Sequence, residues 1–198
     1  MKYKIVGDSC CDFTTEDLKK EYISRVPLIL TVGNTDVVDD DTFVQEKYLD
    51  LVERCPECPR SSCPSPENYM QNFDGAENIF VVTLSSKLSG SYNSAVLASQ
   101  LYNEEHEDNK QIHVFNSKSA SIGETLIGLK IQEMEESGLS FEEVVTQVED
   151  YISSMNTFFV LETLETLRKA GRLSNLKALV ANTLNIKPVM GSTKEGMI

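Results

Sequence analysis

Five serines crowd the ten residues Ser85-Ser86-Lys87-Leu88-Ser89-Gly90-Ser91-Tyr92-Asn93-Ser94, a density of hydroxyls that can hold an anion without a full counter-charge. The run follows Ile79-Phe80-Val81-Val82-Thr83-Leu84, six apolar or β-branched residues that read as a buried strand. It leads into a stretch from Ser91 to about Tyr102 that has helix-forming residues and no Gly or Pro. A hydroxyl-rich turn between the C-terminal end of a strand and the start of a helix is where open α/β sheets bind ligands. The free amides and dipole of a helix start favour negative charge there. The plainer reading stands beside this one: serines before helices serve as caps, and Ser-Gly is an ordinary turn. Spacing alone does not separate the two.

The elements that must carry this turn follow from pattern. Residues 3–7 read as a first strand, followed by the turn Asp8-Ser9-Cys10-Cys11-Asp12 and a helix capped by Thr14 or Thr15. Residues 26–32 read as a second strand with Pro27 near its start, and Gly33-Asn34 as a hairpin turn into Thr35–Val38. A helix is expected from Thr42 to Arg54. Ser65 before Pro66 fits an N-cap with Pro at the first helical position. Further strands are expected at 79–84 and 112–115, with a second Ser-rich corner at Ser117-Lys118-Ser119-Ala120-Ser121. Ser140 and Glu143 have capping-box spacing ahead of Val144, Val148 and Ile152. This alternation, to about residue 154, predicts an α/β domain with a largely parallel sheet. Beyond it come a strand at 157–160, a helix marked by Leu161, Leu164 and Leu167 and stopped by Gly171, a helix capped by Ser174, and a strand start at 186–190.

Composition narrows the function. In 198 residues, 31 acidic against 18 basic side chains give a net charge of −13, which repels nucleic acid and anionic membrane surfaces. Arg168-Lys169 with Arg172 is the cationic cluster that matters. No apolar run approaches the roughly 20 residues that span a bilayer, so stable membrane insertion is not expected. Charge and Gly come too early at the N-terminus for a signal peptide, which points to the cytoplasm. The five cysteines are odd in number, against a full disulfide framework. Cys55, Cys58 and Cys63 would need His106 or His113 to complete a zinc site, and the prolines around them predict a stiff irregular loop with incidental thiols. Glu104–Asp108 reads as a solvated helix end rather than a metal site.

Six segments in order carry a resemblance to a known family. They are Asp8-Ser9 with Asp12, Ser61–Pro66, Ser85–Ala95, Ser117–Ser121, Leu164–Ser174 and Leu184–Val189. Together they resemble the DegV family of bacterial fatty-acid-binding proteins. The resemblance implies a parallel-sheet α/β/α first domain (1–154) and a second α/β domain with a mixed sheet (155–198), with a long-chain fatty acid between them. It implies that the carboxylate is held by Ser61 and Ser89, with Ser62, Gly90 and Ser91 beside them and Arg172 close to the head-group end. Two O–H donors and turn amides suit a carboxylate, and an arginine adds charge-assisted bonding. Ser61 stands where the family commonly has Thr, which keeps the hydroxyl. Family members usually continue further, so the second domain is expected to be incomplete here and to lack a histidine near the head group.

The function so implied is a carrier without catalytic residues or cofactor, presenting its fatty acid to a separate fatty acid kinase subunit for acyl-phosphate formation. The absence of a P-loop fits a non-catalytic role. Two alternatives remain at this stage: a serine hydrolase or acyltransferase using Ser89 or Ser61 with His106 or His113 as base, and a module for another small anion.

Overall fold

The computed structural model describes residues 1–106, 110–173 and 187–198. Its centre is a four-stranded parallel sheet of β1 (Tyr3–Asp8), β2 (Ile23–Val26), β6 (Asn78–Thr83) and β7 (Gln111–Asn116), in the order β2-β1-β6-β7. Every residue of β6 is buried, as a continuous apolar run in the middle of a parallel sheet requires. Side chains alternate between the faces. Ile5, Phe80 and Val82 join one core with helices α4 (Ile122–Glu136) and α5 (Phe141–Ser154) through Ile127, Ile131, Val144 and Val148. Val6, Ile79 and Val81 face the other, with α2 (Pro66–Met70) and α3 (Ser91–Glu105) through Tyr69, Ala95 and Ala98, and with Phe73 just past α2. The result is the expected α/β/α layering.

Local signals hold where a side chain closes its own turn. Ser65 Oγ accepts the Asn68 amide at 3.3 Å with Pro66 at the helix start. Ser140 and Glu143 form the reciprocal capping box, at 3.3 and 2.9 Å. The hairpin at Gly33-Asn34 joins β3 (Ile29–Val32) to β4 (Thr35–Val38), and the expected helix before Arg54 is α1 (Gln45–Arg54).

Three expectations are corrected. The helix at Thr14 is only a 3-10 turn, Asp17–Lys19: Thr14 Oγ1 does accept the Asp17 amide at 3.1 Å, but the chain extends again at Lys20 and enters β2 at Ile23. The strand over 26–32 is two strands in two sheets. Val26 ends β2 in the parallel sheet, while Ile29 begins β3 in a separate antiparallel sheet with β4, because Pro27 has no amide to continue the ladder. The segment read as an irregular Cys/Pro loop contains a strand, β5 (Arg60–Ser62), paired with β3 so that Ser61 lies opposite Leu30. All three β5 residues are exposed, so no apolar alternation announced it.

Past α5 the chain forms β8 (Phe158–Phe159), then α6 (Glu165–Lys169), which ends at Gly171 with φ +72°, and β9 (Met190–Gly191) pairs antiparallel with β8. The helix expected after Ser174, and residue 186 of the expected strand start, lie outside the described residues. Among those described, no helix is long and apolar enough to cross a membrane.

Candidate functional site

The strand order places a topological switch between β1 and β6, since the chain leaves β1 toward one edge of the sheet and β6 toward the other. The loops after these two strands therefore flank a crevice at the C-terminal edge of the sheet. Asp8, at the end of β1, ties them together: its Oδ2 accepts the Leu84 amide at 3.0 Å and its Oδ1 the Cys10 amide at 3.0 Å. Ser85 N donates to Ser119 O at 2.8 Å, and Asn116 Oδ1 accepts the amides of Ser86 and Lys118 at 3.1 and 3.2 Å. The two Ser-rich corners are thus bonded to each other. The loop closes as a turn, with the amides of Leu88 and Ser89 both donating to Ser85 O, before α3 begins at Ser91.

Ser89 Oγ accepts the Ser91 amide at 3.2 Å and lies 3.2 Å from Ser91 Oγ, while the cap position itself is held by Gly90, which has no side chain to cap with. Ser89 is half-buried while Ser91 is fully buried. Gly90 is where the segment after β5 comes near: a Cβ there would sit 3.1 Å from Cys63 Sγ. Ser94 Oγ donates to Pro64 O at 2.6 Å, which anchors that segment to α3.

Against this rim lies a cleft of about 420 Å³ whose wall includes Leu30, Ser61, Leu84, Leu88, Leu167 and Arg172. A second lobe of about 310 Å³ shares Leu88, Ala120, Leu167 and Ile198 with it and is also lined by Ile122, Phe158, Phe159 and Leu161. Both volumes fall in the range of small-molecule pockets, ~300–1,000 Å³. The cleft runs between the parallel-sheet layers and the segment beyond α5. Gly196 (φ +82°) holds the far side close: its carbonyl accepts Ser85 Oγ at 2.8 Å, and a Cβ would meet Ser85 Oγ at 2.3 Å.

The six residues singled out by sequence therefore divide. Ser61 and Arg172 line the cleft. Ser89, Gly90 and Ser91 adjoin it through Leu88, whose carbonyl accepts Arg172 Nε at 3.2 Å. Arg172 Nη1 donates to Ala170 O at 2.5 Å, and the guanidinium is otherwise exposed. Ser62 is exposed on β5 opposite Ile29 and is not in the cleft wall.

Beneath the turn lies a buried polar group that the sequence did not single out. Asp8, Glu124, Tyr69 and Ser91 are all fully buried. Burial raises the Asp8 carboxyl above its ordinary value, and its two backbone donors and the Ser91 hydroxyl oppose that rise. Burial, then the Asp8 charge, hold Glu124 well above the usual carboxylate range. None of the foremost influences on either carboxyl is a basic side chain. Two carboxyls buried together without a cation share a proton. Asp8 accepts two amides and is the ionised member, and Glu124 keeps the proton.

The residues that serine catalysis would need are elsewhere. His106 ends α3, fifteen residues and roughly 22 Å of helix from its start near Ser89, and its Nδ1 bonds Tyr102 O at 3.0 Å. His113 Nε2 pairs with Glu149 at 3.3 Å. Burial pushes the Cys10 and Cys11 thiols up, away from the reactive thiolate. Cys55, Cys58 and Cys63 are free thiols, and among the described residues no group of three or more acidic, Cys or His side chains could hold a metal.

Comparison with known proteins sets this geometry in context. Residues 2–198 match the model of the DegV family, described as uncharacterised proteins. A DegV domain-containing protein of Streptococcus pneumoniae is 39% identical over 201 residues, spanning 100% of this chain and 71% of its own length. A DegV-family crystal structure from Ruminococcus gnavus, refined with vaccenic acid, superposes with a TM-score of 0.93 at 52% identity, covering 98% of this chain and 69% of that one. The fatty acid kinase B3 protein of Streptococcus pneumoniae, loaded with linoleic acid, superposes at 0.90 with 38% identity, covering 100% and 70%.

Proposed function

This chain belongs to the DegV family, and from that premise we propose that it binds a long-chain fatty acid and presents the carboxylate to a separate kinase. The observation that carries the reading is the cleft itself: the Ser61 hydroxyl and the guanidiniums of Arg172 and Arg60 on a wall that is otherwise mostly apolar and shares residues with a lobe lined by Phe158 and Phe159. In this reading Ser61 and Ser89 donate to the carboxylate, Arg172 adds charge, and Ser62, Gly90 and Ser91 shape the rim. Residues 1–154 form the first domain and 155–198 belong to the second, with the acid between them. Each methylene drawn from water contributes about 0.8 kcal/mol, so the tail supplies most of the affinity. Each charge-assisted hydrogen bond adds roughly 1.5–3 kcal/mol and fixes which end faces out.

The kinase would transfer the γ-phosphoryl group of ATP to a carboxylate oxygen, giving acyl-phosphate and ADP. The carrier would contribute position and no catalytic group. A partner that uses ATP puts the pair in the cytoplasm, and the fatty acid is the only small molecule this carrier role requires. Kinship to the fatty acid kinase B3 protein and to relatives refined with vaccenic or heptadecanoic acid supports the reading.

Native mass spectrometry of the freshly purified protein, followed by organic extraction, tests it. A stoichiometric fatty acid, reduced at least tenfold in occupancy by Ser89→Ala after exchange against a limiting pool, is the expected result. A chain that stays empty after incubation with saturated and unsaturated acids would overturn the carrier reading.

A further inference from the structure

On a chain with a net charge of −13, basic side chains without an acidic partner stand out. Among the described residues Arg60, Lys87, Lys118, Arg172 and Lys194 form no ion pair. Apart from Lys4 and Lys47, every other lysine and arginine described does, at 2.6–3.7 Å from a carboxylate.

The fold gathers those unpaired cations into one arc at the cleft. Arg60 and Arg172 lie in its wall, and Arg172 Nε donates to the carbonyl of Leu88, the residue after Lys87. Ser85 Oγ accepts the Lys87 amide at 3.2 Å and donates to Gly196 O at 2.8 Å. Gly196 packs directly on the Lys118 backbone, where an added Cβ would sit 2.7 Å from the Lys118 Cα. Lys118 lines the second lobe and shares a small polar cavity with Lys194. Lys118 is half-buried and the other four are exposed. Glu195 stands in the same loop and feels the charges of Lys87 and Lys118, yet it pairs with neither. Asp12, beside the second Ser-rich corner, accepts the Ser121 hydroxyl.

A cation held against a carboxylate is nearly neutral at a distance, whereas an unpaired one projects its field into solvent. The arc is therefore a local positive patch on an acidic molecule. An extended polyanion such as a nucleic acid or an anionic bilayer would also meet the acidic surface around it. A compact acidic patch on a protein would meet the arc alone. Ser61 and Arg172 belong to the same stretch of wall, so a kinase that reaches a carboxylate held there must sit on the arc.

We propose that this arc is the docking surface for an acidic face of the kinase, and that Lys87 and Lys194 guide and orient that partner without touching the fatty acid. This rests on the carrier reading above. Charges at the rim of an interface act mainly on the encounter rate and its salt dependence.

The test measures acyl-phosphate formation by the Streptococcus pneumoniae fatty acid kinase with ATP, varying the concentration of the oleic-acid-loaded protein. The variant is Lys87→Glu/Lys194→Glu. The control is Lys19→Glu/Lys130→Glu, which changes net charge equally, in the 3-10 turn before β2 and on α4. Circular dichroism and thermal unfolding confirm that each is folded. At low ionic strength the variant should raise KM for the carrier about tenfold, with kcat and the affinity for oleic acid within about twofold. The control should move KM less than about twofold, and roughly 0.5 M salt should shrink the variant's defect to about twofold by screening. An unchanged KM, an equal rise in the control, a parallel loss of oleic acid affinity, or a defect that persists in high salt would overturn the inference. So would an unaltered chain that holds oleic acid but is not phosphorylated by this kinase, which leaves lipid binding standing. An unaltered chain that takes up no oleic acid would instead remove the carrier reading, and the inference with it.

Discussion

Replacing Glu124 by Gln should make the protein more stable than the unaltered chain, by a margin that grows with pH. Glu124 is fully buried, and burial with the Asp8 charge beside it holds its carboxyl well above the ordinary value of 4.5. In the unfolded chain the group ionises at its ordinary value; in the folded chain it keeps its proton. Between those two values the folded state binds one proton more, so the stability of the unaltered protein falls as pH rises. The slope is about 1.4 kcal/mol per pH unit, fully spent only when pH passes the folded-state value. Below the ordinary value this contribution is intact. Gln cannot titrate, yet its amide oxygen can accept the Ser121 amide, now at 3.1 Å from Glu124 Oε1, and its NH₂ can donate toward Asp8. Within that window the variant should therefore gain on the unaltered chain at this slope, until pH passes the folded-state value of Glu124. Urea unfolding followed by circular dichroism at pH 5, 6, 7 and 8, with the same denaturant slope for both proteins, measures this directly. A difference that stays level within about 0.5 kcal/mol, or runs the other way, would refute the shared-proton account of the Asp8–Glu124 pair.

Two further outcomes follow from the cleft and its far wall. Gly196→Ala places a methyl 2.3 Å from Ser85 Oγ and 2.7 Å from the Lys118 Cα at a φ of +82°, and the backbone contact cannot rotate away. It should cost about 1–3 kcal/mol, concentrated in residues 193–198, so that their amides exchange faster while those of β1 and β6 hardly change. Uniform loss of protection would contradict this. Across saturated acids from about twelve to about eighteen carbons, each added CH₂ should lower Kd roughly fourfold until the second lobe is full. A flat series would mean that the tail does not enter the apolar lobes.

Much of the scaffold was legible because it rests on local rules. The apolar run at 79–84 reads as a buried strand, and its residues 79–83 are fully buried in β6. Ser65-Pro66, Gly33-Asn34 and Ser140 with Glu143 close turns or caps using atoms no more than three residues apart. The failures share one cause. The short helix at Asp17–Lys19 and the break at Pro27 depend on which sheet the chain joins next, which composition does not record. Strand β5 is exposed throughout and exists because β3 offers it an edge, so its pattern carried no period to find.

The site divides along the same line. Ser61, Ser89, Gly90, Ser91 and Arg172 could be singled out because hydroxyls, a turn glycine and a cation cluster in short segments, and those segments are recognisable in order. The sequence alone therefore determined the α/β class, the hydroxyl-rich turn between strand and helix, and the family resemblance, since each is written in neighbouring residues. What it could not reveal is that Asp8, Tyr69, Ser91 and Glu124 meet behind that turn. Those four come from the end of a strand, a short helix and the first turns of two longer helices. Only the packing of layers on both faces of the sheet brings them into one dry volume. There the lack of water makes a shared proton and an orphaned hydroxyl matter, and no spacing along the chain encodes that.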